Sequence, residues 1–435
     1  MSIMFKKAGS IALIAAAVAP VGVSYAASTT LYGGGATLPA IAYVGSSFFS
    51  SPSSSRLTNP ADAGSLFGVY SSLTGKPKVS YCQTGSGTGR KVLDGVQDAS
   101  VACGSFVDGL SSRGFSSDSL IPSDANFAAS DAPLAQSEIT TFNTDKGATR
   151  VEPMQIPSLA GSIAIIYKNA DVTTQLALTD AQICKIFSGQ YTNWSQLGKP
   201  SKAITVVYRS DGSGTTFGFT NHESKVCAAF NGDHFATVST FASGGIADST
   251  GATVALPSNF VGESGNPAVV TEIDAVDGAI GYGEVADAVA RDPNLGIAKV
   301  NNKDPRTNLA TTYNLVSGSL LKDEVLGTDD PTTGRPTLVT TSPAPAHAGC
   351  VLIVNPDSYA TSTLNYPIVA ITYLDGYYAG NTVDKANLQA LFKMPYNGTT
   401  KSKVTTVGKG TGFGWLGGTG VSTTVTGAVT SCIGS

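Results

Sequence analysis

Three times in this chain a short apolar run gives way to a cluster of Gly, Ser and Thr and then to residues spaced as in a helix. Leu31-Tyr32-Gly33-Gly34-Gly35 leads into Ala36-Thr37-Leu38-Pro39, and Lys78-Val79-Ser80-Tyr81 leads into Gly85-Ser86-Gly87-Thr88-Gly89, followed by Arg90-Lys91-Val92-Leu93. Ile204-Thr205-Val206-Val207-Tyr208 leads into Arg209-Ser210-Asp211-Gly212-Ser213-Gly214-Thr215-Thr216-Phe217. A strand that ends in small residues and opens into a helix is the repeating unit of an α/β fold. The rest of the chain agrees with that class. A short run at 125–129 ends at Ser130-Asp131-Ala132-Pro133-Leu134, and the run 162–167 is almost continuously apolar, as in a strand covered on both faces. Thr179 can cap a helix carrying Ile183, Ile186 and Phe187 and ending near Gly189. Further short strands are expected at 278–282, 351–354 and 368–371. No internal repeat of fixed period is visible.

Composition removes several classes of function. Of the 435 residues 42% are hydrophobic and 13% charged, against about 25% charged in typical soluble domains, which disfavours a disordered or coiled-coil chain. The net charge is -4 and there is no long Lys/Arg run, so a nucleic-acid surface is not expected. Lys6 and Lys7 precede the uncharged apolar stretch 11–23, and Ser24-Tyr25-Ala26 has small residues where a signal peptidase reads. A signal peptide over 1–26, cleaved after Ala26, is therefore expected, with the protein in the periplasm or outside the cell. Its removal takes away two lysines and no acid, which moves the net charge from -4 to -6. The first cysteine is Cys82, so no cysteine stands where a lipid anchor would need one, and no later stretch is long and apolar enough to span a bilayer.

The six cysteines favour disulfides in an exported chain. Among the fifteen connectivities that six allow, sequence separation favours Cys82 with Cys103, Cys184 with Cys227, and Cys350 with Cys432. The three histidines, His222, His234 and His347, and the absence of any Cys/His cluster give no metal-site spacing.

The turns carry the chemistry. Where a strand ends and a helix begins, backbone N–H groups lack intrahelical partners and favour an anion. Thr37, Ser86, Ser213 and Thr215 can add hydroxyl donors, Arg209 a planar fork of charged donors, and Gly214 close approach of the backbone. Together they describe a cage for a small tetrahedral oxyanion held without metal. Asp131 would repel such an anion unless the anion carries a proton. A carboxylate accepts from a protonated phosphate oxygen, whereas fully ionised sulfate leaves two acceptors facing each other, at a cost of roughly several kcal/mol. Asp211, two residues after Arg209, can hold the guanidinium in its binding rotamer. Taken singly, each Gly/Ser turn and Asp131-Ala132-Pro133 are ordinary helix caps, and Arg209 is an ordinary ion pair; the joint pattern carries the site.

With these segments in this order, the chain resembles the phosphate-binding proteins of bacterial phosphate ABC transporters, and especially their DING group. The resemblance rests on Gly-Gly-Gly-Ala-Thr-Leu-Pro at 33–39, Gly-Ser-Gly-Thr-Gly at 85–89, Ala-Ser-Asp-Ala-Pro-Leu at 129–134, Tyr-Arg-Ser-Asp-Gly-Ser-Gly-Thr-Thr at 208–216 and Gly-Ala-Ile-Gly-Tyr at 278–282. Ile-Pro-Ser-Leu-Ala at 156–160, Cys-Lys-Ile-Phe-Ser-Gly at 184–189 and Asn193-Trp194 also match. It implies a two-lobed periplasmic-binding-protein fold of type II with two interlobe crossings, the first near 156–159 and the return near Asn365-Tyr366-Pro367. Lobe 1 would comprise 27–157 and 366–435, and lobe 2 158–365. Phosphate contacts would come from the Thr37 and Leu38 N–H groups, Ser86, Asp131, Arg209, Ser213, the Gly214 N–H and Thr215, with Asp211 orienting Arg209. Several features depart from the pattern. Thr30-Leu31-Tyr32-Gly33 replaces Asp-Ile-Asn-Gly; Cys184 with Cys227 resembles a DING disulfide, while Cys82/Cys103 is additional and Cys350 lies early; the loop after Ser50 is longer. The implied function is high-affinity capture of hydrogen phosphate for delivery to a phosphate ABC permease, with no cofactor and no chemistry. The alternatives are an extracellular structural or filament-forming protein that self-associates, and a DING-like phosphatase using Ser86 or Ser213.

Overall fold

The computed structural model describes residues 28–46, 61–94, 102–103, 113–114, 125–292 and 294–434. The expected signal segment and the loop after Ser50, residues 50–60, lie outside these residues. An eleven-stranded mixed sheet organises the fold. Its strands are β1 (Thr30–Gly35), β2 (Lys78–Gln83), β3 (Phe127–Ser130), β4 (Pro153–Tyr167), β5 (Thr205–Arg209) and β6 (Phe260–Glu263). They continue with β7 (Ala279–Glu284), β8 (Gly296–Ile297), β9 (Thr312–Asn314), β10 (Val369–Tyr377) and β11 (Phe413–Gly417). The main path runs β6-β5-β7-β4-β10-β3-β1-β2, with β8 and β11 also on β4, and β9 on β11. β1, β2 and β3 are mutually parallel, as are β5, β6 and β7, whereas β4 runs antiparallel to both β7 and β10.

β4 joins the two parallel groups. Nine of its first ten residues pair with β10 and its last five with β7. All fifteen residues are buried. Ile163 and Ile165 point into one apolar cluster, and Ala164 and Ile166 into another with Val207, Val270 and Ile273, so both faces are covered. A fully buried side chain of this kind contributes about 1.5–3 kcal/mol. The sequence reading started this strand at 162; Pro153, Pro157 and the small residues before Gly161 hid its first half. Pro157 cannot donate to a ladder, and the pairing shifts register there: Thr372 faces Leu159 and Tyr373 faces Pro157. The skipped Ser158 donates to the Thr372 carbonyl at 3.0 Å and shares a 2.6 Å hydrogen bond with the Tyr43 hydroxyl.

Helices pack on both faces: α1 (Ala40–Val44), α2 (Ser86–Asp94), α3 (Gln136–Asp145), α4 (Asp180–Phe187), α5 (Gly214–Val226), α6 (Asn266–Ala275), α7 (Val285–Arg291) and α8 (Val421–Cys432). α4 starts after Thr179 as expected: Thr179 accepts from the Gln182 N–H, and the Gln182 side chain reaches back to the Thr179 N–H. α2 begins at Ser86 rather than after Gly89, so the glycines at 87 and 89 lie within the helix. Cys184–Cys227 and Cys350–Cys432 are disulfides. Cys82 is disulfide-bonded as well, and the Cys103 side chain lies outside the description. Val325 and Val351 pack with Leu134, Ile139, Phe142 and Tyr377, which seats the 320–354 region on the β3/α3 side of the sheet.

Candidate functional site

The C-terminal ends of β1, β3 and β5 and the N-termini of α2 and α5 converge on one buried point. In parallel sheets this is where ligands are bound. Gly35 ends β1 at φ 126°, and a Cβ there would stand 2.2 Å from the Ala129 carbonyl oxygen. That close approach lets the Ala36 N–H donate to the same oxygen at 2.8 Å. The chain then turns through Thr37 and Leu38, both buried. The N–H groups of Thr37 and Leu38 donate to no acceptor among the described residues. Ser86, the first residue of α2, accepts from the Asp131 N–H at 3.0 Å and lies 3.5 Å from Asp131 Oδ2. Ser213 caps α5 by accepting from the Thr216 N–H at 3.1 Å. The N–H groups of Gly214 and Thr215, in the helix's first turn, have no intrahelical partner. Glycine brings the two sides together: a Cβ on Gly214 would lie 2.5 Å from Asp131 Cβ, and the Gly87 N–H donates to the Gly212 carbonyl at 2.8 Å.

Arg209 is 1% exposed, and its charge is fully matched. Nε and Nη2 donate to Asp211 Oδ1 and Oδ2, each at 2.6 Å, and Nη1 donates to Thr37 Oγ1 at 3.1 Å and Asn266 Oδ1 at 2.9 Å. Of the fork's five N–H donors, one on Nη2 is left over. Burial alone would push the Asp211 carboxyl up, but Arg209 and the Gly265 N–H outweigh it and hold Asp211 below its ordinary range. Asn266 was missed by the sequence reading. It also donates from Nδ2 to Thr215 Oγ1 at 3.4 Å, tying the Arg209 fork to the α5 turn. Gly265-Asn266-Pro267 signals a helix start, and nothing in that signal says what the amide touches.

Asp131 is handled differently. It too is 1% exposed, but among the described residues no cation bonds it directly. Its acceptors are served by Thr372 Oγ1, at 2.9 Å on Oδ1, and by Ser86. Burial pushes its pKa up to about 7, against the lowering effects of the Thr372 hydroxyl, Arg209, Ser86 and Arg90. Thr372 is the second missed contact; it sits in β10, whose antiparallel pairing with β3 sets Tyr373 opposite Ser130 and so brings Thr372 beside Asp131. Glu284 and Asp287, buried at the start of α7, are both raised by burial, Asp287 to about 8 despite Arg209.

Thr37, Leu38, Ser86, Asp131, Arg209, Asp211, Ser213, Gly214 and Thr215, singled out in the sequence, are thus brought together in one largely buried cluster. Its donors outnumber its acceptors, and Asp131 is the exception that faces them. The histidines are held by other partners: His222 by the Ala360 carbonyl and Asp180, and His347 by Glu152, while His234 pairs across a short hairpin. Among the described residues no group of three or more His, Cys, Asp or Glu is placed to hold a metal ion.

Comparison with known proteins gives consistent similarities. The profile of a family described as a PBP superfamily domain matches residues 44–343. Alkaline phosphatase L of Pseudomonas aeruginosa is 31% identical over 386 residues, 88% of each chain. The phosphate-binding protein PstS of Xylella fastidiosa is 30% identical over 174 residues, 38% of this chain and 41% of that protein. Among solved structures, a phosphate-binding protein from Stenotrophomonas maltophilia superposes with a TM-score of 0.57 at 25% identity, over 92% of this chain and 94% of that one. A high-affinity periplasmic phosphate-binding protein, PfluDING, solved with phosphate bound, shares the fold with a TM-score of 0.61 at 23% identity, over 91% and 92% of the two chains.

Proposed function

The chain belongs to the PBP superfamily, and from that premise we propose that it is an exported, high-affinity binder of inorganic phosphate that hands its ligand to a phosphate ABC permease. One observation carries the reading: a buried carboxylate, Asp131, stands inside a cradle otherwise made of donors. The Thr37, Leu38, Gly214 and Thr215 N–H groups, the Thr215 hydroxyl, the remaining Arg209 N–H and the Ser86 hydroxyl, turned from its long contact with Asp131, serve the ion's oxygens. Asp131 accepts from the one oxygen that carries a proton. Hydrogen phosphate satisfies both demands and sulfate only the first.

The ion would be gripped between two lobes. Lobe 1 is built on β1, β2, β3 and β10, and lobe 2 on β5, β6 and β7. The chain crosses inside β4 near 156–159 and returns before β10, near 365–367. The packing of Val325 and Val351 favours placing 320–354 with lobe 1, although it lies within the sequence interval 158–365. The Gly87–Gly212 contact is then a backbone-to-backbone seam between the lobes.

Calorimetric titration of phosphate and, in parallel, sulfate into protein stripped of ligand by unfolding and refolding tests the reading. One site of micromolar or tighter affinity with little response to sulfate is expected. Absence of binding by the folded, stripped protein overturns it.

A phosphatase is the second reading, favoured by the similarity to alkaline phosphatase L and by the Ser86 hydroxyl beside Asp131. Against it, no histidine is bonded to Ser86 or Ser213 among the described residues. Turnover of p-nitrophenyl phosphate that is lost in Ser86→Ala would bring this reading to the front.

A further inference from the structure

Arg90 lies one turn beyond Ser86 on α2 and is 8% exposed. It bonds to none of the cradle residues, yet each edge of its guanidinium ends on something that shapes the cradle. Nη1 donates to Ser130 Oγ at 2.8 Å, and that oxygen also accepts the Ala132 N–H at 3.1 Å while donating to the Ala132 carbonyl at 2.6 Å. The residues on both sides of Asp131 are thereby pinned. Nε lies 2.5 Å from Glu138 Oε1, whose other oxygen takes the Ala135 N–H at 2.8 Å, so the segment after Asp131 is anchored too. Nη2 reaches 3.5 Å to Ser239 Oγ, and the Ser239 carbonyl accepts the Ser213 N–H at 2.7 Å. One buried cation therefore braces the Asp131 turn from β3 and touches the segment that holds the α5 cap.

We propose that Arg90 is a positioning residue of the phosphate cradle, holding the Asp131 turn and the Ser213 turn in register so that both grip the same ion. The inference rests on the phosphate reading of the site. A sequence scan passes over Arg90 because a basic residue in a short helix after a Gly/Ser turn is ordinarily solvated.

Electrostatics adds a readout that packing alone would not give. The charge of Arg90 favours ionised Asp131. The other charged or titratable groups acting on Asp131 are Arg209 from β5, Glu284 from β7, Asp375 from β10, and the tyrosines at 43, 81 and 359. Around Arg90 itself stand Glu138, Asp94 and Asp375. Asp94 and Asp375 are pushed up chiefly by burial, so Glu138 is the anion in direct contact.

The test titrates inorganic phosphate into ligand-stripped wild-type protein, Arg90→Met and Arg90→Lys between pH 6 and 8.5. Arg90→Met is expected to weaken binding roughly ten- to a hundredfold and to move the midpoint of the affinity–pH curve upward. Arg90→Lys, which keeps the charge and loses the fork, should return the midpoint toward wild type while affinity stays reduced. Wild-type affinity in Arg90→Met, or a loss equal at every pH, overturns the inference. Failure of the wild-type protein to bind phosphate would instead sink the reading on which it rests. Should Arg90→Met not fold, Arg90→Lys and Ser130→Ala decide: reduced affinity in both supports the inference, and wild-type affinity in either overturns it.

Discussion

The Arg209 turn and the Asp131 turn bury one charge each, to the same depth, and treat it in opposite ways. Arg209, permanently charged, has a carboxylate on two of its nitrogens and two neutral oxygens on the third. Asp131 receives two hydroxyls and only the more distant fields of Arg209 and Arg90, so its charge is marginal near neutral pH. A buried ion with its counter-ion beside it is committed to one state, whereas a buried ion served by neutral dipoles can change state at modest cost. In the proposed phosphate cradle this would combine a fixed attraction with a group whose protonation can follow the ligand's.

The largest effect that would break this contrast is at Arg209. Arg209→Ala leaves Asp211 without its partner and the cradle without its cation, and should reduce phosphate affinity by a factor on the order of a thousand in calorimetry. Asp131→Asn comes next. An amide can donate where the carboxylate could only accept, so phosphate affinity should fall about a hundredfold while the preference over sulfate narrows. Equal losses for both anions would mean that Asp131 does not read the proton.

The contrast also has a pH signature in the empty protein. For Asp131 the folded-state pKa is raised from 3.8 to about 7, so between those values the native chain holds a proton that the unfolded chain has released. Stability from this group is therefore greatest at low pH within the window and declines as pH rises toward 7. Asp94 and Asp287, both raised to about 8 chiefly by burial, act in the same direction. Thermal melts of stripped protein should show a lower Tm at pH 8 than at pH 5.5, and Asp131→Asn should flatten part of that slope. The smallest expected change is at Thr372. Thr372→Val removes one hydroxyl from Asp131 and should weaken phosphate binding roughly three- to tenfold at pH 7. Its loss should shrink at pH 8.5, where the carboxylate is ionised without that help.

The strand–turn–helix junctions were legible because their physics is local. A run of Val and Ile, a cluster of Gly, Ser and Thr, and a cap residue such as Thr179 or Ser213 each act within a few positions. Residues brought together by register were not legible. Thr372 reads as one more β-branched residue in a strand, and only the pairing of β10 with β3, which sets Tyr373 opposite Ser130, brings it to Asp131. Asn266 reads as a helix start and Arg90 as a solvated helix residue, because contacts made 57 positions from Arg209 or 149 positions from Ser239 leave no mark in a local pattern. Length misled as well: prolines at 153 and 157 masked the first half of a strand that is buried throughout.

The position of β10 in the sheet has a consequence for how the chain matures. It is hydrogen-bonded between β3 and β4, although it lies more than two hundred residues after both. A chain emerging from its N-terminus meets the partners of β10 long before β10 itself, and until then the facing edges of β3 and β4 stand apart and unpaired. The hydroxyl that serves Asp131 arrives with the same strand. Nascent chains halted before residue 369 would therefore present sticky, half-built sheets to any chaperone that meets them, and ligand capture would switch on only once the residues from 369 onward are delivered.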